Sequence, residues 1–342
     1  MKALVTGGLG VVGSKYATMV AEMGHDVVIL DAAEEPRNHW TAQQLMSRHP
    51  DRIRIIIDRV ERFNFTGLLK ECDFILHAAA HTGIPHSEKD PSDDWVSNVD
   101  ATRNILEYMR KVGADVPTVM LSSVKPYKLD DITTFPKNDR TSWDIDGIDE
   151  TCVLEPDEPY AASKMAQSAL GMAYARTYDL PVTVLRCSNL YGDAPCHGPR
   201  HGWLTWFCIS AALDWTIELQ GTGRQTRDML FSDDVTRAVL SCFQNARAVR
   251  GNVYNIGGGF HNSVSCRESI PMIESVVGRP VKTEPGPGRR NEDMIFITNH
   301  AKFTKATTWD PEVGVEEGIV RITNWALEHA DDLKRLYETQ PC

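Results

Sequence analysis

Short apolar runs alternate with longer stretches of helical periodicity through the first half of the chain. "KALVTG" is a brief apolar run ending in glycine, and "VVGSKYATMVAEMG" repeats apolar positions at helical spacing and stops at Gly24. "DVVILD", "RIRIIID", "DFILHAAA" and "PTVMLSS" read as the second to fifth strands. Between the last two, "DDWVSNVDATRNILEYMRKVG" reads as one long amphipathic helix ending at Gly113. "PVTVLRCSNLYG" reads as a sixth strand running into a loop. Repeated strand–helix–strand units imply a parallel sheet covered on both faces. The expected class is therefore α/β: a doubly wound parallel sheet of Rossmann type with a smaller C-terminal lobe.

The pattern loosens after Tyr191. "GDAPCHGPRHG" and "EPGPGRRNED" read as loops, and "WLTWFCISAALDW" as a helix. "GNVYNIGGG" reads as a strand returning to the first sheet, and "EEGIVRITNWALEHADDLKRL" as a single terminal helix. The expected division is residues 1–188, with a returning segment near 228–258, and a second lobe made mainly of 189–342.

Composition narrows the ligand. The chain has 342 residues and a formal net charge of -11, which argues against general affinity for nucleic acid or acidic membranes. An anionic ligand then needs a local positive site. The N-terminal stretch has no apolar signal core, and no run of 18 uncharged apolar residues occurs, so a cytoplasmic protein is expected. The eight cysteines are scattered without a CxxC pair, the usage of free thiols rather than of a disulfide framework or metal site.

"TGGLGVVGS" follows the first strand and opens the first helix. It carries Gly8-x-Gly10-x-x-Gly13 and, in an overlapping frame, Gly7-x-x-Gly10-x-x-Gly13. Glycines here permit a tight turn and let a pyrophosphate approach the helix N-terminus, where free N–H groups and the helix dipole favour an anion. Asp31, ending the second strand, is placed to bind both ribose hydroxyls and to repel a 2'-phosphate, which favours NAD over NADP. Asp58, ending the third strand, is a candidate to face the adenine. Ala78, Ala79 and Ala80 give the fourth strand a small-residue end against which a cofactor can lie, and His77 reads as a packed structural histidine.

The fifth strand ends in Ser122 and Ser123, where ligands of parallel sheets bind. "EPYAASKMAQ" then places Tyr160 four residues before Lys164, one helical turn apart and on one face. An ammonium near a phenol lowers its pKa from about 10, which makes a general base usable near neutral pH. Tyrosinate would take the proton of a sugar or alcohol hydroxyl while its carbon gives hydride to NAD+. Lys164 would lower the tyrosine pKa and bind the nicotinamide ribose, and Ser123 would orient the hydroxyl.

In "LVTGGLGVVG", "LSSVKPY", "YAASK", "RCSNLYG", "RDMLFSDDV" and "VYNIGGG" the chain resembles the extended short-chain dehydrogenase/reductases of the NAD-dependent nucleotide-sugar epimerase/dehydratase family, over nearly its whole length. The resemblance implies cofactor contacts also at Val11, Val12, Asn98 and Ser122. It places His81 and His86 in a loop near the sugar, and Asn189 near the sugar diphosphate. It gives Arg227, with Arg224 nearby and one of Arg289 or Arg290, to the diphosphate, as bidentate guanidinium geometry suits. It implies a nucleotide-sugar substrate, a CDP-sugar favoured and UDP- or GDP-sugars open, with oxidation at C2; the motifs alone permit C4 equally well. It also implies a homodimer paired through helices near 95–112 and 158–178.

Two departures from the family pattern stand out. Lys128 occupies a position usually held by glycine. Val124 and Lys125 follow Ser123, where 4,6-dehydratases of the family usually carry an Asp-Glu pair and decarboxylating relatives a glutamate.

Overall fold

The computed structural model describes residues 1–129, 147–195, 198, 202–288 and 293–338. The first half folds as β1 (Lys2–Thr6), α1 (Val11–Glu22), β2 (Asp26–Asp31), α2 (Pro36–Arg48), β3 (Ile53–Ile57) and β4 (Phe74–His77). Two single turns follow, α3 (Ile84–Ser87) and α4 (Pro91–Asp94), then a π-helical segment Trp95–Asp100 running into α5 (Ala101–Val112). The half closes with β5 (Thr118–Ser123), α6 (Pro159–Tyr178) and β6 (Val182–Cys187). The expected long helix before β5 is therefore three consecutive pieces. Gly113 ends it at φ 66, a left-handed conformation that glycine adopts without cost.

The second half holds β7 (Asn189–Tyr191), α7 (Trp203–Ala212), β8 (Ile217–Gln220), β9 (Thr226–Phe231), α8 (Ser232–Gln244), α9 (Ala246–Val249) and β10 (Val253–Ile256). It continues through β11 (Ser263–Ser265), α10 (Cys266–Val277), β12 (Thr283–Gly286), β13 (Ile295–Phe296), α11 (Ala301–Thr307), α12 (Val315–Glu328) and α13 (Ala330–Glu338). Three expectations change here. Part of the loop "EPGPG" is a strand, β12, because Thr283–Gly286 pairs in parallel with β8. The terminal helix breaks at His329 into two. The segment returning to the first sheet begins with α8, since β9 pairs with β7, β11 and β13 instead.

The main sheet has seven parallel strands in the order β10-β6-β5-β4-β1-β2-β3. Alternate residues feed opposite layers: Ala3 and Val5 of β1 pack in one buried cluster, Leu4 in the other. A third cluster gathers Leu204, Phe207, Met229, Phe231, Val264, Ile273 and Ile319 around the second sheet. Strand order reverses between β1 and β4, and a crevice at the carboxyl ends of the strands is where such sheets bind ligands. Among the described residues no helix is long and apolar enough to cross a membrane.

Candidate functional site

The glycine-rich turn divides into packing positions and an open one. Gly7 has φ +68, and a Cβ there would lie 2.5 Å from the Ala79 backbone nitrogen. A Cβ on Gly13 would lie 2.3 Å from the Gly7 carbonyl oxygen, so both glycines let backbone meet backbone. Gly10 differs: its Cβ would meet only the Gly7 carbonyl, at 3.4 Å. Gly10 is the N-cap of α1 and offers no side-chain cap, so the amides of Val11, Val12 and Gly13 lack intrahelical acceptors. Free amides at a helix N-terminus beside an open glycine face fit a pyrophosphate.

Asp31 lies beside this turn. Its carboxylate accepts from the Leu9 amide at 2.9 Å and the Ala33 amide at 2.9 Å, which fixes both oxygens with lone pairs to spare for ribose hydroxyls. Burial pushes its pKa up, and those two amides pull it back. Asp58 is adjacent, its amide on the Asp31 carbonyl, and its carboxylate caps Arg59 N–H at 2.7 Å. Ala78 and Ala79 donate backbone N–H groups to the Thr6 carbonyl and hydroxyl, which brings the small-residue strand end against Gly7. His77 is fully buried between Thr6 Oγ1 (2.7 Å) and Thr102 Oγ1 (2.9 Å), and burial pushes its pKa down to about 3; it is a neutral structural histidine.

Asn98 is a clamp rather than a free ligand. It accepts from the His81 amide at 2.9 Å and donates to the His81 carbonyl at 3.1 Å and to Ser163 Oγ at 2.9 Å. Ser163 in turn donates to the Tyr160 carbonyl at 2.8 Å, so the loop after β4 is tied to the tyrosine's own helical turn. The His81 ring is held through Nδ1 by the buried Asp94 carboxylate at 2.6 Å. For His86 only the backbone, within α3, is described.

The end of β5 meets α6 closely. Ser122 Oγ donates to the Lys164 carbonyl at 3.0 Å and accepts from Ser168 Oγ at 2.8 Å, so its hydroxyl belongs to the seam between strand and helix. Its backbone is what it can offer a cofactor. Ser123 accepts from the Lys125 amide at 3.1 Å, and its hydroxyl interacts with the Tyr160 phenol. Lys164 is buried and donates to the Leu121 carbonyl at 3.2 Å and Gln167 Oε1 at 2.8 Å. Burial brings its pKa down to about 8.

One electrostatic expectation is corrected. Burial pushes the Tyr160 pKa well above its ordinary value; Ser123 pulls it back only partly, and the Glu158 and Asp94 carboxylates push it further up. The Lys164 ammonium points to Leu121 and Gln167 and does not offset this. Lowering that pKa requires a further positive charge at the phenol, and the nicotinamide ring of NAD+ carries one.

The residues expected on the substrate side follow β6 in the chain. Asn189 is half-buried on β7, level with Met229 of β9. Arg227, on β9, is half-buried and donates to the Thr226 carbonyl at 2.9 Å; Arg224 is exposed. Arg289 and Arg290 lie outside the described residues. Lys128 takes the family's glycine position without strain: its amide bonds the Val153 carbonyl at 2.9 Å and its ammonium Glu155 at 2.8 Å.

Sequence reasoning missed several residues. Asp94 and Gln167 contact His81 and Lys164, and nothing in their local pattern marked them. Lys125 was legible as a departure, but not its ion pair with Asp293 at 3.0 Å. Glu158 stands directly before "PY", and its half-buried carboxyl enters the site.

Known proteins resemble this chain along nearly its whole length. Over 343 residues the chain is 28% identical to the CDP-paratose 2-epimerase of Salmonella typhi, covering 95% of this chain and 99% of that one. A dTDP-glucose 4,6-dehydratase of Neisseria meningitidis is also 28% identical, over 96% and 94% of the two chains. A dTDP-glucose 4,6-dehydratase double mutant from Streptomyces venezuelae, solved with NAD bound, superposes with a TM-score of 0.82 at 26% identity, covering 98% and 100%. The fold is shared with a UDP-glucuronic acid 4-epimerase from Bacillus cereus at a TM-score of 0.81, 22% identity, and 96% and 99% coverage. Residues 3–257 match the NAD dependent epimerase/dehydratase family, and this chain belongs to that family, with NAD as its cofactor.

Proposed function

We propose that this chain is a nucleotide-sugar epimerase that oxidises one ring carbon, lets the keto sugar turn, and returns hydride to the opposite face. The carbon is C2 of a CDP-linked deoxysugar. What carries the epimerase reading is the pair of residues after Ser123. Val124 is buried with Tyr127, Ile148 and Phe296, and the Lys125 ammonium is held by Asp293. Neither is a carboxylic acid able to protonate a leaving hydroxyl. The choice of C2 and of CDP rests on the likeness to the Salmonella typhi 2-epimerase along nearly the full length of both chains.

NAD supplies the hydride acceptor that becomes the donor. The amides of Val11, Val12 and Gly13 would hold its pyrophosphate, and Asp31 its adenosine ribose. Lys164, whose buried ammonium keeps a donor beyond its bonds to the Leu121 carbonyl and Gln167, bonds the nicotinamide ribose. The Tyr160 oxygen takes the proton of the substrate hydroxyl as hydride leaves the same carbon, and returns it after the ketone has turned. Ser123 holds that hydroxyl in line with the phenol. Asn189, Arg227 and one of Arg289 or Arg290 retain the nucleotide diphosphate while the sugar moves. Arg224 extends that surface, and His81 lies near the sugar.

A 4,6-dehydratase reading draws on one observation, the Glu158 carboxyl beside Tyr160. Elimination needs a base for the C–H and an acid for the departing hydroxyl; of the carboxyls near Glu158, Asp157 and Asp293 are paired with the Lys125 ammonium and Glu88 is exposed, which leaves Glu158 to supply one of the two. We assign the assembly as a homodimer paired through the Trp95–Val112 and α6 faces. Trp95, at 52% exposure, and Tyr178, at 48%, leave apolar surface on those faces. Light scattering of the purified protein tests this: a monomer would refute it.

The function is tested by incubating the purified protein with CDP-, UDP- and GDP-sugars, including CDP-paratose, without added cofactor. Inversion at C2 with unchanged mass is expected by NMR and mass spectrometry. Loss of water would overturn the epimerase reading.

A further inference from the structure

Among the described residues the Glu158 carboxyl accepts no hydrogen bond. As the N-cap of α6 it stands where a side chain ordinarily bonds the free amides of the first turn, yet it makes no such bond. Oε1 is shut off from solvent and has no hydrogen-bond partner, and no ion pair within 4 Å is formed among the described residues. A buried acceptor without a donor is costly, and native proteins keep few of them.

Its surroundings locate it at the sugar end. The charges that act on it are Lys125, two residues after Ser123, its neighbour Asp157, Glu88 from the loop after β4, and Asp293 just before β13. In turn it acts on the Tyr160 phenol. Lys125 is the one cation in this group and is already committed, to Asp293 at 3.0 Å and Asp157 at 3.7 Å. Four carboxyl groups therefore share one ammonium among the described residues. Burial raises the Glu158 pKa to about 7, as expected of a carboxyl left without donors in that company.

A carboxylate only accepts, so the ligand group that completes it must donate. A second hydroxyl of the sugar, apart from the one held by Ser123 and Tyr160, does so. A sugar carboxylate would bring a fifth negative group against the cluster. We propose that Glu158 reads the sugar, accepting a hydroxyl of a neutral hexose and rejecting a uronate. This inference rests on the nucleotide-sugar reading above and adds to it the residue that selects a neutral sugar over a uronate.

The test compares binding of UDP, CDP, CDP-glucose, UDP-glucose and UDP-glucuronate to the NAD-loaded wild type, Glu158→Gln and Glu158→Ala by calorimetry at pH 8. The wild type should bind UDP-glucuronate at least tenfold more weakly than UDP-glucose. Glu158→Gln should cut that ratio about tenfold, through tighter uronate binding, and leave UDP and CDP affinity unchanged. Glu158→Ala should do the same and also weaken the neutral sugars. Equal wild-type binding of UDP-glucose and UDP-glucuronate, or a ratio unmoved by either variant, would overturn the inference while leaving the nucleotide-sugar reading in place. A wild type that binds no nucleotide or nucleotide sugar would overturn both.

Discussion

Replacing Glu158 by Gln should stabilise the protein above neutral pH while loosening its discrimination against uronates. Burial raises this carboxyl from 4.5 to about 7, a shift of roughly 2.5 pH units. The unfolded chain releases the proton near 4.5, and the folded chain keeps it until about 7. Between those values the folded state binds more protons, so stability falls as pH rises, and the full penalty is in place above pH 7. At about 1.36 kcal/mol per unit the ceiling is about 3.4 kcal/mol. Glu158 is only half-buried, so solvent screening reduces this to about 1.5–2 kcal/mol. Gln keeps the shape and never ionises. With an unfolding entropy of about 0.7 kcal/mol/K for a chain of this length, the variant should melt about 2–3 °C higher at pH 8. At pH 5 the difference should largely vanish. Thermal midpoints of both proteins at pH 5 and pH 8, at matched ionic strength, check this. A gap of equal size at the two pH values, or a variant less stable at pH 8, would refute the reasoning.

Other consequences follow from the same geometry. Tyr160→Phe should lower kcat by about 10²–10⁴ without lowering the melting temperature, because the phenol oxygen serves proton transfer and not packing; unchanged turnover would point to an NAD-binding protein without chemistry at this residue. Gly7→Ala should cost about 2–4 kcal/mol in urea unfolding, since it combines a left-handed backbone with overlap on Ala79. Gly10→Ala should fold normally and lose NAD, because its Cβ enters the face left open for the pyrophosphate; the two variants should separate cleanly in calorimetry and unfolding. Asp31→Asn keeps the acceptor for the Leu9 amide but removes the charge, and should narrow the preference for NAD over NADP about tenfold in titrations.

The strands of the first sheet were legible because each is a compact apolar run, and "LSS" and "YAASK" placed the reacting groups in order along the chain. α2 left little trace: of Pro36–Arg48 only Thr41 and Leu45 are buried, too few for a visible stripe. β12 is largely exposed and carries proline and glycine, so its strand character comes from its neighbour β8 rather than from its own residues. The π-helical segment Trp95–Asp100 shifts the helical repeat within a continuous periodic stretch, which pattern alone reads as one helix. The same limit governs the site. Residue type and spacing pointed to Ser123, Tyr160 and Lys164. The Asn98 clamp, the Asp94 contact with His81 and the Lys125–Asp293 pair each join segments distant in sequence, and only the fold brings them together. The pKa of Tyr160 follows the same limit: spacing places a lysine one turn away, but the partners of Lys164 decide where its charge goes.

The central claim is that one carbon is oxidised and reduced again by a cofactor that never leaves. CDP-paratose carrying deuterium at C2, incubated with the purified protein in ordinary water without added NAD, tests this most directly. The account predicts a product inverted at C2 that retains its deuterium and its mass. A product that has lost water, or deuterium exchanged for solvent hydrogen at C2, would contradict it.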